Sequence, residues 1–308
     1  MKVIRDVASL RAELETLGRV GLVPTMGGLH RGHLACIEAL RPSGLPRAVS
    51  IFVNPLQFGP GEDWQRYPRS TEADLALCEA AGVAFVFVPE AGEFYPPGFQ
   101  TRVLPGPLAS RWEGACRPAH FEGVLTVLAR LFGLIRPTLV AFGEKDFQQL
   151  RVVQHLAEDL ALGCKVLGVE TVRDDDGVAL STRNAYLTPS TRPLARRLVE
   201  ALAAARATFV QGVRAVNAVQ NQVDEVLGAQ AGGAALHDGH GASSAIERLD
   251  YAAIVDPETL EPWPEDRPLR ADARCLIAAY VGGARLIDNA ALGLGPDLEA
   301  FAVTSAHS

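Results

Sequence analysis

Lysine is nearly missing from this chain: of 29 basic residues only Lys2, Lys145 and Lys165 are lysines. With a formal net charge of −7, the composition gives no electrostatic basis for nucleic-acid or membrane-surface binding, which calls for a basic face. Aromatic residues are only 6% of the chain and form no basic stripe of the kind that stacks single-stranded bases. The five cysteines, Cys36, Cys78, Cys116, Cys164 and Cys275, are odd in number, scattered and never spaced C-x-x-C. That excludes a disulfide framework or a zinc site and leaves incidental thiols. No stretch reaches the roughly 18 apolar residues of a membrane span. Met1–Asp6 also lacks a signal-peptide core, so a cytoplasmic location is expected. What is present is 308 residues, 48% of them hydrophobic, enough for one large core or two. A small-molecule site is the thing to look for.

The first half alternates helical and strand patterns, which indicates βαβ units around a parallel sheet. Val7, Leu10, Leu14 and Leu17 form a helical stripe ending at Gly18. Strands are predicted at Val20–Val23, Ala48–Val53, Val83–Val88, Leu139–Phe142 and Val166–Val172. Helices are predicted at Leu34–Leu40, Thr71–Ala81, Phe121–Ile135 and Phe147–Leu162. After Val172 the pattern changes to Ala-rich helices over Thr191–Val210 and Val213–Leu227, then short strands at Tyr251–Val255, Cys275–Val281 and Ala284–Leu286. The expected division is therefore 1–172 and 173–308, the second domain being a smaller α+β unit. Ala229–Ala245, which holds His237 and His240, reads as a mobile loop in which the histidines are decoration. The tail from about Pro296 has no packing signal.

Polar segments cluster behind the predicted strands, where ligands of open parallel sheets bind. The most informative is Thr25-Met26-Gly27-Gly28-Leu29-His30-Arg31-Gly32-His33, at a strand-to-helix junction whose unpaired N–H groups and helix dipole suit an anion. Two imidazoles three residues apart share a helical face, and both are expected to titrate near neutral pH against one phosphate. Taken alone the spacing is weak, since a helix cap beside a solvated imidazole accounts for it better. Met26, the one methionine besides Met1, offers a polarizable side chain to a ring. In the segment Phe52–Phe58, Asn54 and Gln57 can orient a small polar substrate without adding charge, with Glu62–Trp64 and Tyr67–Arg69 as a wall. Gly143-Glu144-Lys145-Asp146 opens the helix carrying Gln148 and Gln149, and its lysine is suited to phosphate oxygens. In Asp174–Asn184 the three acids read as a solvated turn rather than a metal site, whereas Ser181, Thr182 and Arg183 make a clamp for polyphosphate charge. Arg117 is either an anion contact or a surface arginine before proline.

Together these segments resemble the pantoate–β-alanine ligases of the H-x-G-H nucleotidylyltransferase superfamily. The likeness is carried by Pro24–His33, Phe52–Phe58, Phe121–Val127, Gly143–Gln149, Leu180–Asn184 and Arg285–Asn289, and it covers the chain apart from Ala229–Ala245 and the tail. It implies an α/β fold, with a Rossmann-like N-terminal domain and a C-terminal lid, in a homodimer. The implied reaction is Mg-ATP-dependent: pantoate carboxylate attacks the α-phosphate to give pantoyl adenylate and pyrophosphate, and the amine of β-alanine then displaces AMP. By resemblance Met26, Gly27, Gly28, Leu29, His30, Arg31, Gly32, His33, Gly143, Glu144, Lys145 and Asp146 line the ATP site. Val172 lies near the adenine, and Leu180, Ser181, Thr182 and Arg183 close over the phosphates. His33 corresponds to the proton-donating histidine and His30 to its phosphate-binding companion, while Lys145, Ser181 and Arg183 stabilise phosphate charge. Gln57 and Gln149 hold pantoate, with Asn54 and Arg117 as further substrate contacts, and no residue is assigned to metal.

Two departures stand out. Thr182 replaces the family's second serine, keeping a hydroxyl on a stiffer side chain, and Ala119 and Glu122 replace a glycine and an arginine around His120. Two other functions fit parts of the pattern: a nucleotidylyltransferase acting on another small carboxylate, and a catalytically silent nucleotide-binding protein. Asn54, Gln57 and Gln149 argue against the first, and intact His30, His33, Lys145 and Arg183 against the second.

Overall fold

The structure is a computed structural model that describes residues 1–228, 246–296 and 298–301. It divides into two compact units, Met1–Thr171 and Val172–Ser308. The expected mobile loop at Ala229–Ala245, with His237 and His240, and the end of the tail lie outside the described residues.

Six strands build the first unit: β1 (Lys2–Ile4), β2 (Gly21–Thr25), β3 (Arg47–Ile51), β4 (Phe85–Phe87), β5 (Leu139–Gly143) and β6 (Lys165–Val169). They form one sheet in the order β1-β4-β3-β2-β5-β6, with every pairing parallel. The interior strands are apolar runs because helices cover both faces. Val23, Val49, Val86 and Ala141 pack with Ile37, Leu40 and Cys78 from the covering helices. β1 escaped the sequence pattern: it has three residues, two of them exposed, too few for any periodicity to register.

Strand order reverses between β2 and β5. From β2 the chain steps outward to β3 and β4, whereas β5 and β6 lie on the other side. The carboxyl ends of β2 and β5 therefore flank the crevice where doubly wound sheets bind ligands. Both motif loops leave from there, Met26–His30 after β2 and Glu144–Asp146 after β5.

In the second unit β7 (Arg248–Val255), β8 (Arg274–Val281) and β9 (Ala284–Ala291) form an antiparallel sheet in sequence order. The helices Arg192–Val210 and Val216–Leu227 share its core through Leu198, Leu202, Val219, Val223 and Ile277. β9 runs five residues past the predicted Leu286 because Asp288 and Asn289, which look like a strand end, are buried and paired. Leu298 is also buried in this core, so the tail packs further than expected. Cys36, Cys78 and Cys275 are buried; burial pushes the Cys36 thiol up to about 12 and Cys78 up to about 11, which leaves both unreactive. No helix among the described residues is long and apolar enough to cross a membrane.

Candidate active site

The loop after β2 turns on two glycines with positive φ, Gly27 at 87° and Gly28 at 65°, a backbone that side chains with a Cβ resist. It is anchored from a distance. The carboxylate of Asp74, on the helix Thr71–Ala80, accepts Gly28 N–H through Oδ2 at 2.8 Å and Leu29 N–H through Oδ1 at 2.8 Å. Asp74 is 1% exposed, and a Cβ on Gly27 would lie 3.1 Å from its Oδ2. Sequence reasoning passed over this residue. Its signal was an acid four positions before buried Cys78, on the inward face of an amphipathic helix.

The helix Arg31–Ala39 begins three residues earlier than predicted, which makes His30 its N-cap and His33 its third residue. The two form a reciprocal capping box in place of the usual hydroxyl and carboxylate. Gly32 N–H donates to His30 Nδ1 at 3.1 Å, and His30 N–H donates to His33 Nδ1 at 3.2 Å. With both Nδ1 atoms accepting, the neutral rings carry their protons on Nε2. The ring centroids are 4.1 Å apart. Burial, then the charges of His30 and Lys145, pull His33 down to about 3. The expected switching near neutral pH therefore does not hold for His33 in this site, where it is a neutral Nε2–H donor.

Lys145 comes from the turn after β5, half-shielded and 3.9 Å from the Asp146 carboxylate. Its charge reaches His33, and that of Asp146 reaches Cys36 on the histidine helix, so the two loops face one another. The following glutamines separate sharply. Gln148 is buried and bonded three times, accepting Glu113 N–H and donating to Leu108 O and Arg111 O, each at 2.9 Å. Gln149 is half-buried, and its side chain makes no hydrogen bond among the described residues.

Behind β3, Gln57 donates from Nε2 to Met26 Sδ at 3.1 Å and accepts Asn54 Nδ2–H at 3.0 Å. Its backbone carbonyl accepts His120 Nδ1–H at 2.9 Å. The His120 tautomer follows from Arg117, whose guanidinium can only donate, at 3.1 Å, to His120 Nε2. Burial, then the Arg117 charge, holds His120 down at about 4. Arg117 itself is paired with Glu62 at 2.8 and 2.6 Å, so neither expectation, an anion contact or a solvated surface arginine, describes its present bonding. Asn54 also differs from expectation. It is 1% exposed, and both ends of its amide are engaged inside the protein.

The second unit, taken by itself, folds Val172–Leu180 back through an Arg173↔Ala179 bridge, with Leu180 N–H donating to Val172 O at 2.9 Å. Ser181 caps the next turn by accepting Arg183 N–H at 3.2 Å. Two of the three acids before it are ion-paired rather than solvated, Asp174 and Asp176 both holding Arg192, at 2.6 and 2.7 Å, while Asp175 is exposed as expected. Arg173 is bonded to Asp288 at 2.6 and 2.9 Å. Among the described residues no group of three or more His, Cys, Asp or Glu side chains converges for a metal.

Comparison with known proteins adds a family. The pantoate-beta-alanine ligase model matches residues 2–291. Pantothenate synthetase of Thermus thermophilus is 50% identical over 94% of this chain and 98% of its own, and that of Rhizorhabdus wittichii is 44% identical over 96% and 100%. A crystal structure of the Thermus protein superposes with a TM-score of 0.86 at 48% identity, covering 95% of this chain and 99% of that one. The Francisella tularensis pantoate-beta-alanine ligase, complexed with beta-gamma ATP and beta-alanine, matches with a TM-score of 0.73 at 27% identity over 96% and 99%.

Proposed function

The chain belongs to the pantoate–β-alanine ligase family, and from that premise we propose that the crevice between β2 and β5 activates pantoate as an acyl adenylate. The reaction joins pantoate to β-alanine at the expense of ATP. A free carboxylate is a poor acyl donor because its leaving group would be oxide, whereas a mixed anhydride with AMP releases a stabilised phosphate. In the first step a pantoate carboxylate oxygen bonds to the α-phosphorus while the bond to pyrophosphate breaks. In the second, the β-alanine nitrogen attacks the acyl carbon, loses a proton and expels AMP.

The observation carrying this proposal is the fixed orientation of the histidine pair. Both rings accept backbone N–H groups through Nδ1, which turns both Nε2 atoms outward, and His33, held neutral by burial, offers its Nε2–H to phosphate oxygens without itself needing to titrate. Lys145, whose charge already reaches His33, supplies positive charge where negative charge grows on the phosphates. Met26 to Leu29, Arg31, Gly32, Gly143, Glu144 and Asp146 form the rest of the nucleotide site. Gln149, with an uncommitted amide, and Gln57, whose Nε2 rests on a weak thioether acceptor, hold pantoate. Arg117 and Glu62 present paired opposite charges beside the Gln57 carbonyl, matching the two charges of β-alanine. In the second unit Val172 serves the adenine, and Leu180, Ser181, Thr182 and Arg183 the phosphates. Mg²⁺ would be carried mainly by the nucleotide phosphates, because Mg²⁺ keeps several waters and takes few protein ligands. Once bound there it would neutralise phosphate charge. A homodimer, as the family likeness implies, located in the cytoplasm, completes the proposal.

The test is to run the reaction with pantoate labelled with ¹⁸O in its carboxylate. Transfer of one labelled oxygen to AMP is expected. Pantothenate formed with unlabelled AMP would contradict the adenylate.

A further inference from the structure

Tyr95 has no part in the site as sequence describes it. It follows the short helix Ala91–Phe94 and packs among Phe52, Phe94 and Phe99, with ring centroids 4.9–5.9 Å from its own. Its hydroxyl leaves this apolar nest to donate to Asn54 Oδ1 at 3.0 Å. Burial pushes the phenol above its ordinary value, so it stays protonated and remains a donor.

We propose that Tyr95, acting with Asn54, is a positioning residue that fixes which end of the Gln57 amide meets the substrate. This rests on the assignment of Gln57 to pantoate. The polarity is forced step by step. Gly123 O can only accept and Leu56 N–H can only donate. The first takes Asn54 Nδ2–H at 3.0 Å and the second gives to Asn54 Oδ1 at 3.2 Å, which sets the Asn54 amide one way round. Its remaining Nδ2 proton goes to Gln57 Oε1 at 3.0 Å, and its remaining Oδ1 lone pair receives the Tyr95 hydroxyl. With Oε1 held inward, Gln57 must turn Nε2 outward, where it rests on Met26 Sδ at 3.1 Å. Thioether sulfur is a weak acceptor, so an arriving oxygen displaces it at little cost. The site therefore selects an acceptor atom, a hydroxyl or carboxylate oxygen of pantoate, at this position.

The helix His120–Ile135 can take part only because residue 123 is glycine. A Cβ there would lie 2.3 Å from Leu56 O and 2.5 Å from Gln57 Cα, and the carbonyl that orients Asn54 would be pushed away. Tyr95 supplies the shorter of the two hydrogen bonds to Asn54 Oδ1. Its loss leaves that amide on one long bond and frees Gln57 to turn over.

The experiment is Tyr95→Phe, which removes only the hydroxyl, measured alone and with Gln57→Ala. For Tyr95→Phe the KM for pantoate is expected to rise about three- to tenfold, in line with the loss of one hydrogen bond. The KM for ATP is expected to stay where it is, and the thermal midpoint to fall by no more than the loss of one hydrogen bond implies. In the Gln57→Ala background the same change should no longer affect the pantoate KM. An unchanged pantoate KM for Tyr95→Phe, or an equal rise in both backgrounds, overturns the proposal. If Gln57→Ala by itself leaves the pantoate KM unchanged, the assignment of Gln57 fails and takes the proposal with it, a result distinct from failure of Tyr95 alone. Asn54→Asp is the second variant should Tyr95→Phe prove unstable. It keeps the shape, removes both donors and is expected to raise the pantoate KM more than Tyr95→Phe; no rise overturns the proposal.

Discussion

Two polar turns of this molecule handle charge in opposite ways. In the loop after β2, one buried carboxylate, Asp74, holds the backbone through two N–H groups, and the imidazoles lean on backbone donors through Nδ1. The outward Nε2–H of His33 stays a donor, and the lysine opposite lies 3.9 Å from the Asp146 carboxylate. In the turn Val172–Leu180 the charges are closed on one another: Asp174 and Asp176 grip Arg192, and Arg173 grips Asp288. The first arrangement keeps donors for a ligand and the second consumes them to hold shape. Rich polar sequence alone therefore does not mark a site; what marks it is polar capacity that the fold leaves over.

The largest effect expected from breaking the first arrangement is at Lys145. Lys145→Ala should lower the rate of pyrophosphate release with pantoate and ATP by about 10²–10³-fold, the scale of losing one charge-stabilising donor, with a normal thermal midpoint. Next is Asp74→Asn, which turns a pure acceptor into an amide whose NH₂ must face one of two backbone N–H groups. A loss of about 1–3 kcal/mol in unfolding free energy together with reduced turnover is expected in denaturation and steady-state assays; unchanged values would mean that Asp74 does not hold the loop. The neighbouring glutamines sharpen the same distinction. Gln148→Ala should lower stability by about 1–3 kcal/mol, whereas Gln149→Ala should leave stability alone and raise the pantoate KM. The reverse pattern would invert their roles. The smallest effect belongs to the closed turn: Arg192→Ala should lower stability by about 0.2–1 kcal/mol and leave pyrophosphate release untouched.

Much of this was legible in sequence. The ends of β2, β3 and β5 that carry polar segments could be placed because buried parallel strands are short apolar runs, whereas β6, with no buried residue, stops at Val169, three residues before the predicted Val172; the order of the segments carried the family likeness. The helix start was not, because a histidine pair replaces the hydroxyl and carboxylate that usually signal a capping box. Asp74 was hidden by its place in a helix between Ala73 and Leu75, where an acid normally faces water. Tyr95 was hidden by distance, 41 residues from the amide that it binds. Asn54, Arg117 and the acid turn were visible as polar residues but not as occupied ones, since pairing between distant elements leaves no periodicity in the chain.

The central claim is that His33, neutral and fixed by its Nδ1 contact, donates to phosphate during adenylation. It is tested most directly by single-turnover pyrophosphate release from ATP and pantoate in His33→Ala, alongside ATP binding by calorimetry. The expected result is a rate lower by about 10²-fold or more, with ATP still bound. Near-normal pyrophosphate release from His33→Ala would contradict the claim.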